Sequence, residues 1–321
     1  MPDSNASKTS AAAPLSSGTM YALGAYTLWG FFPIYWKFLT AFSSLELIAH
    51  RLIWAFVFYL FLSAYQANKD LKLTGKDSDW AASFTRWIQI YKNPKLGGPV
   101  LIASVLLTTN WLLYIYAVNS GQVVEASLGY FITPLFNVLT GWLVLRESLS
   151  RARWVSLALA ATGVSMLAIQ ADHFPWIALS LATTFSLYGL IRKRLLVSVF
   201  DASTAETASL VVPAAIFVIY SRFFAVGSHD ATTTEFTLLA LSGVVTGLPL
   251  IWFAQAAIRL PLSRLGFFQY IAPTIQFLLG VFIYNEAFST AKLWSFAFIW
   301  LALGVFSWET LRRTKPMVVN S

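Results

Sequence analysis

The chain has no cysteine, which removes disulfides, thiolate zinc sites and thiol catalysis from consideration. Charge is scarce as well: 11 % of residues are charged and 57 % are hydrophobic, a balance outside the range of soluble domains. There is no GxxxxGK[ST] phosphate loop, so ATP hydrolysis within the chain is not expected. There is no HExxH and no clustered His/Cys set to hold a metal. A Gly-x-Ser-x-Gly elbow is also missing, so a membrane-embedded hydrolase built on Glu46 and His50 would lack its nucleophile. His173 and His229 fall in expected outer loops without partners. The expectation is a chain that is not an enzyme and carries no cofactor.

What is present is apolar sequence in long runs. Runs of about 20 residues suffice to cross the hydrocarbon core as helices, and they recur at 18–39, 45–66, 98–118, 124–145, 152–170, 175–192, 204–223, 236–257, 265–284 and 292–311. They do not alternate apolar and polar as barrel strands would. The fold class expected is an all-α polytopic membrane protein of ten transmembrane helices, arranged as two inverted five-helix repeats. Residues 1–17 read as a disordered cytoplasmic tail with no cleavable signal pattern. A first repeat of 18–170 follows, containing a cytoplasmic loop at 67–97. The second repeat is 171–311, and 312–321 forms a cytoplasmic tail.

The net charge of +8 is a topology signal and not a nucleic-acid signal. With the amino terminus inside, Lys37, Arg222 and Lys292 are outside and Arg51 lies within a span. Every other Lys and Arg falls on the inner side. That asymmetry orients both termini to the cytoplasm.

The repeat is visible in the residues. Leu128-Gly129-Tyr130-Phe131 recurs as Leu265-Gly266-Phe267-Phe268, and Pro134, Gly141 and Glu147 recur at one constant interval as Pro273, Gly280 and Glu286. Five spans per half start the second half from the opposite side, so Glu147 is expected inside and Glu286 outside. Prolines interrupt helices, and discontinuous helices in matching spans point to a transport site. Pro134 and Pro273 are therefore hinge candidates, with Pro33 a third; Pro213 and Pro249 are further intraspan prolines. In the 67–97 loop, Trp80 to Tyr91 reads either as a short amphipathic helix on the inner surface or as plain loop.

Arg51 is the costliest residue to place. An intramembrane arginine costs about 2.5–3.5 kcal/mol on insertion scales and calls for a partner. Glu46 and His50 share a helix face, while Lys37 and Glu125 are expected at the same outer end. These groups form either a structural ion-pair cluster or a site where Arg51 or Lys37 attracts an anion while His50 or a carboxylate exchanges a proton. Neutral polar candidates follow: Asn110, Trp111, Tyr114, Asn119, Tyr130 and Asn137 in the first half, and Tyr188, Gln255, Gln269, Tyr270 and Gln276 in the second. Singly these amides glue helices together; collectively they suit an aromatic-walled cavity for a small organic molecule. Ser156 and Ala160 permit close packing within one chain or between two, leaving the oligomeric state open.

Several strings together resemble the RarD family, in the EamA branch of the drug/metabolite transporter superfamily. They are Ala25-Tyr26 through Trp29-Gly30 with Pro33, Tyr35 and Lys37; Ala49-His50-Arg51 with Trp54; and Asn110-Trp111-Leu112-Leu113 through Ala117-Val118-Asn119. Glu125 through Phe131, Tyr188-Gly189-Leu190 with Arg192-Lys193, and Leu265 through Tyr270 continue the match. The resemblance implies a bacterial inner-membrane protein with a central cavity lined by spans one to four and six to nine, the fifth and tenth being peripheral. RarD proteins are labelled chloramphenicol-sensitive proteins or permeases. Thr133 stands where the resemblance implies asparagine, and Arg264 where it implies threonine. The expected function is a secondary transporter, an exporter of a small organic metabolite or drug working by alternating access, with the lipid bilayer and a coupling proton as candidate partners. An uptake permease and a noncatalytic membrane scaffold or sensor are the alternatives.

Overall fold

Apolar runs in a low-dielectric surround must satisfy their backbone internally, and helices do so. The computed structural model describes residues 17–74, 81, 84–146, 148–170, 174–195, 197–224, 232–260, 265 and 268–313, and the regular secondary structure of these segments is helical. The first half holds α1 (Ser17–Gly30), α2 (Phe32–Lys37), α3 (Ser44–Thr74), α4 (Arg86–Lys92), α5 (Pro94–Asn119), α6 (Val123–Leu145) and α7 (Arg151–Gln170). The second holds α8 (Trp176–Arg194), α9 (Val199–Phe223), α10 (Thr233–Arg259), α11 (Ile271–Leu278) with a π-helical turn (Leu279–Ile283), and α12 (Thr290–Arg313). Glu147, His173, His229, Arg264, Trp80, Gly266 and Phe267 lie outside the described residues.

Among the described residues, seven helices are long and apolar enough to cross a membrane: α3, α5, α6, α7, α9, α10 and α12. The other three expected spans fall short for local reasons. The first is split at Phe31 (φ −85°, ψ 0°) into α1 and α2. The sixth, α8, ends in Arg192-Lys193-Arg194. The ninth, helical at 265 and 268 and again over Ile271–Leu278, runs into the π turn. Large apolar side chains such as Phe61, Ile169, Val212, Phe223 and Trp294 stand exposed around the bundle, as lipid-facing positions do.

Short-range chemistry sets the helix ends. Ser43 and Glu46 close a capping box at the start of α3: Ser43 N donates to Glu46 Oε2 at 3.0 Å and Glu46 N to Ser43 Oγ at 3.2 Å. At α9 Ser198 Oγ accepts from Asp201 N and donates to Asp201 Oδ2, and Thr232 and Glu235 close a full box at α10. Each cap satisfies backbone N–H groups that the first helical turn leaves unpaired.

The halves pack in a reciprocal way. Across them α1 meets α10 as α8 meets α5, α3 meets α10 as α9 meets α5, and α6 meets α8 as α11 meets α1. The pairs α3–α9, α6–α11 and α7–α12 map onto themselves. One backbone detail recurs with the sequence interval: Arg146 (φ 55°) and Asn285 (φ 52°) are the two non-glycine residues with positive φ among those described, one closing α6 and the other following the π turn. Because lipid tails are as apolar as leucine, such contacts rest on close packing. Gly129 provides one: a Cβ there would stand 2.9 Å from the Ala178 carbonyl oxygen of α8.

The matched prolines do not behave alike. Pro134 sits inside an unbroken α6, whereas Pro273 lies in the first turn of α11, where a missing N–H costs nothing. Among the described residues the helix irregularity falls at the π turn after α11, while α6 runs unbroken through Pro134.

Candidate functional site

Four helices converge on Arg51, which is 3 % exposed. Its guanidinium carbon lies 3.9 Å from the centroid of Trp111 on α5, and 5.3 Å and 5.9 Å from the rings of Trp36 and Phe32 on α2. Its Nε donates to Thr246 Oγ1 of α10 at 3.0 Å, while Nη1 is buried without a hydrogen-bond partner. The hydroxyls of Tyr35, Tyr59, Tyr114 and Tyr130 are close enough to interact with the charge. Among the described residues no carboxylate lies within ion-pair distance of Arg51. The arginine is thus held by aromatic faces and one hydroxyl, with its positive charge uncompensated.

This corrects the expected ion-pair cluster. Glu46 is engaged in the α3 capping box. Glu125 Oε1 accepts from Ile177 N of α8 at 3.1 Å. Both carboxylates answer helix-start N–H groups, which carry partial positive charge and sit nearer to them than the guanidinium. Lys37 lies with Nζ 5.3 Å from the Tyr284 ring centroid. His50 is half-buried in a separate shallow cleft with Phe42, Glu46, Val218, Ser221, Arg222 and Phe236.

Beside Arg51 a second knot joins α5, α6 and α8. Asn110 Nδ2 donates to Leu181 O at 2.9 Å and to Thr184 Oγ1 at 3.0 Å, and its Oδ1 accepts from Tyr130 OH at 3.2 Å. Tyr114 stacks edge-on to Tyr130 at 5.7 Å, with its buried hydroxyl unpartnered. Asn119 likewise buries an unpartnered Oδ1.

Gln276 is explained by Pro33. Proline has no N–H, so the carbonyl four residues earlier, that of Trp29, loses its helical partner; Gln276 Nε2 reaches across from α11 and donates to it at 3.1 Å. The remaining candidates are dispersed. Asn137 is exposed, Gln255 accepts from Arg259 at the end of α10, and Tyr270 packs with Phe277 and its aromatic neighbours. Gln269, half-buried, shows its main-chain N–H bonded to Leu265 O.

A clasp joins the π turn to α6. Glu286 Oε1 accepts from Val123 N at 2.6 Å and Oε2 from Val124 N at 2.8 Å. Burial pushes its carboxyl above the ordinary value, against the pull of those N–H groups and of Lys37 and Lys292 nearby. Acid therefore loosens this clasp at a higher pH than it would protonate a free carboxyl.

Sequence reasoning missed Trp36, Phe32 and Thr246 around Arg51, and Glu206 on α9. The last is 3 % exposed, with Oε1 3.4 Å from Arg192 Nη1 and Oε2 accepting from Tyr188 OH at 3.3 Å.

The EamA-like transporter family model matches residues 16–169. Protein RarD of Streptomyces exfoliatus is 40 % identical, over 93 % of this chain and 90 % of that protein. An uncharacterized transporter of Bacillus subtilis, YojE, is 38 % identical over 94 % and 96 %. The chloramphenicol-sensitive protein RarD of Pseudomonas aeruginosa is 27 % identical over 92 % and 95 %. A solved crystal structure shares the fold with a TM-score of 0.56 at 18 % identity, covering 92 % of this chain and 98 % of that one. The chain is thus a multi-pass bacterial membrane protein that belongs to the EamA-like transporter family, among its RarD members.

Proposed function

We propose that the protein is a secondary transporter that exports a small organic molecule bearing an anionic or strongly hydrogen-bond-accepting group, by alternating access around Arg51. The observation that carries this reading is the uncompensated, aromatic-caged guanidinium with a free buried nitrogen. A buried cation without a counter-ion is costly as a structural element but well suited to recruit an anion. The tyrosine and tryptophan walls around it suit a small organic body.

Ten spans in two inverted repeats give this site its moving parts. The reciprocal helix pairing, the recurrent positive-φ residue and the basic residues gathered at one end support that layout. Arg86 and Asp201, Arg153 and Glu309, and Arg259 and Tyr21 all meet at that basic end, which the charge asymmetry assigns to the cytoplasm. The Glu286 clasp then lies on the outer side. Its release frees α6 from the π turn, a type of helix irregularity frequent at functional sites.

The test is ligand-dependent thermal stability of the purified protein against amino acids, organic acids, sugar phosphates and chloramphenicol-like drugs. A ligand at 100 times its Kd adds about 2.7 kcal/mol. A stabilising compound whose effect disappears in Arg51→Met supports the reading. Stabilisation that survives in Arg51→Met refutes Arg51 as the contact.

A further inference from the structure

The helix-start caps of α3 and α9 bring two charged residues into register. The interval from Ser43 to Ser198 equals that from Glu46 to Asp201, and the same interval carries Arg51 onto Glu206. Both charges follow the first residue of their helix, Ser44 or Val199, by the same distance, and α3 and α9 pack directly on each other. One repeat position thus holds a buried cation in the first half and a buried carboxylate in the second.

We propose that Glu206 is a proton-binding site linked to transport, exchanging its contact with Arg192 for a proton when the bundle changes state. This deepens the transporter reading and rests on it. The contact with Arg192 is loose. Their nearest atoms are 3.4 Å apart, yet Glu206 Oε1 and Arg192 Nη1 are both buried and neither makes a hydrogen bond. A pair built to hold a fold would be closer and aligned. Arg192 sits in the last turn of α8 and is partly exposed, so it can extend toward the interface as long basic side chains do. A carboxylate left behind in the interior is costly without a cation, and a proton is the smallest one that fits. In the exchange one proton from water adds to Oε1 to give the carboxylic acid, and Arg192 keeps its own charge.

The surroundings are otherwise poor in competing groups. Facing Glu206 are Tyr59 of α3, Tyr188 and Arg192 of α8, Tyr91 of α4 and the Ser104 hydroxyl of α5, which donates to the Glu206 carbonyl oxygen. Asp201 on the same helix pairs outward with Arg86 of α4 at 3.9 Å. Helix α4 covers this end: Ile90 is buried with Val100, Leu195 and Ala205, and Tyr91 OH meets the Ala205 carbonyl and Ser209. Tyr59 interacts with both Glu206 and Arg51. It stands eight residues after Arg51 on α3, about 12 Å along the axis, so occupancy at one charge is felt at the other.

Infrared difference spectroscopy of the full-length protein in nanodiscs, stepped between about pH 5 and about pH 8 where ordinary carboxyls are already ionised, reads the C=O band of a protonated carboxyl. The expected band is present in Glu286→Gln, which removes the other raised carboxyl, and is lost when Glu206→Gln is added to it. Arg192→Gln, which leaves Glu206 in place, should raise the midpoint by about one pH unit, a tenfold tighter proton. A band unchanged by Glu206→Gln, or a midpoint unmoved by Arg192→Gln, overturns the proposal. Linkage is read with spin labels on Lys95→Cys and Arg259→Cys in the otherwise cysteine-free chain. Acid should shift their distance distribution in a Glu286→Gln background, where the clasp no longer titrates, and not when Glu206→Gln is added to it; a shift that persists overturns the coupling. These measurements use no solute, so they can fail while Arg51-dependent solute binding stands, and the reverse.

Discussion

Replacing Arg51 by methionine separates a structural arginine from a recruiting one. The variant loses the hydrogen bond to Thr246, worth about 1.5–3 kcal/mol when one partner is charged. It also loses a desolvated cation–π contact with Trp111, worth about 2 kcal/mol. Against this, removing the charge relieves an insertion cost of about 2.5–3.5 kcal/mol, and the flexible thioether fills most of the space. The net destabilisation expected is about 1–2 kcal/mol, so Arg51→Met should fold and unfold only a few degrees below the wild type. Flux of the stabilising solute into proteoliposomes should nevertheless be abolished. Arg51→Lys keeps the charge but not the planar fork or the stacking, and should keep partial flux. Two results refute the reasoning: an Arg51→Met protein that cannot be purified folded, which would make the arginine a structural anchor, or a folded one with wild-type flux.

Other perturbations follow from single contacts. A Cβ at Gly243 would lie 2.2 Å from the Trp54 carbonyl oxygen on α3, so Gly243→Ala should force α3 and α10 apart and lower stability by about 1–3 kcal/mol. Gly304→Ala, with nothing within 4 Å of its Cβ, should be neutral or stabilising in the same thermal assay. Gln276→Leu should cost about 1–3 kcal/mol by stranding the Trp29 carbonyl. In a Pro33→Ala background, which restores the helical N–H, that cost should shrink, and a double-mutant cycle with no coupling would contradict the account.

Much of the architecture was legible because hydropathy alone marks apolar runs long enough to cross a bilayer. The break at Phe31 was only half legible: Pro33 signalled it, but the partner that satisfies the freed carbonyl, Gln276, lies on a distant helix. Arg51 stood out by its cost, yet its cage did not, since Trp36, Phe32 and Thr246 meet it only through tertiary packing. Glu46 and Glu125 were candidates either for an ion-pair cluster with Arg51 or for proton exchange, but helix starts compete for carboxylates at shorter range. Glu206 did not figure among the sequence candidates. The expected span begins at residue 204, two residues before it, whereas α9 starts at Val199 and buries it two turns in.

The central claim is that two related halves rock about Arg51, with Glu286 clasping the outer side. The most direct test is double electron–electron resonance in nanodiscs on spin-labelled cysteine pairs. Ser120→Cys with Ala287→Cys flanks the clasp, and Lys95→Cys with Arg259→Cys sits at the basic end, all four positions being exposed. Releasing the clasp with Glu286→Gln should lengthen the first distance and shorten the second. Distances that stay unchanged, or that lengthen together, would contradict alternating access.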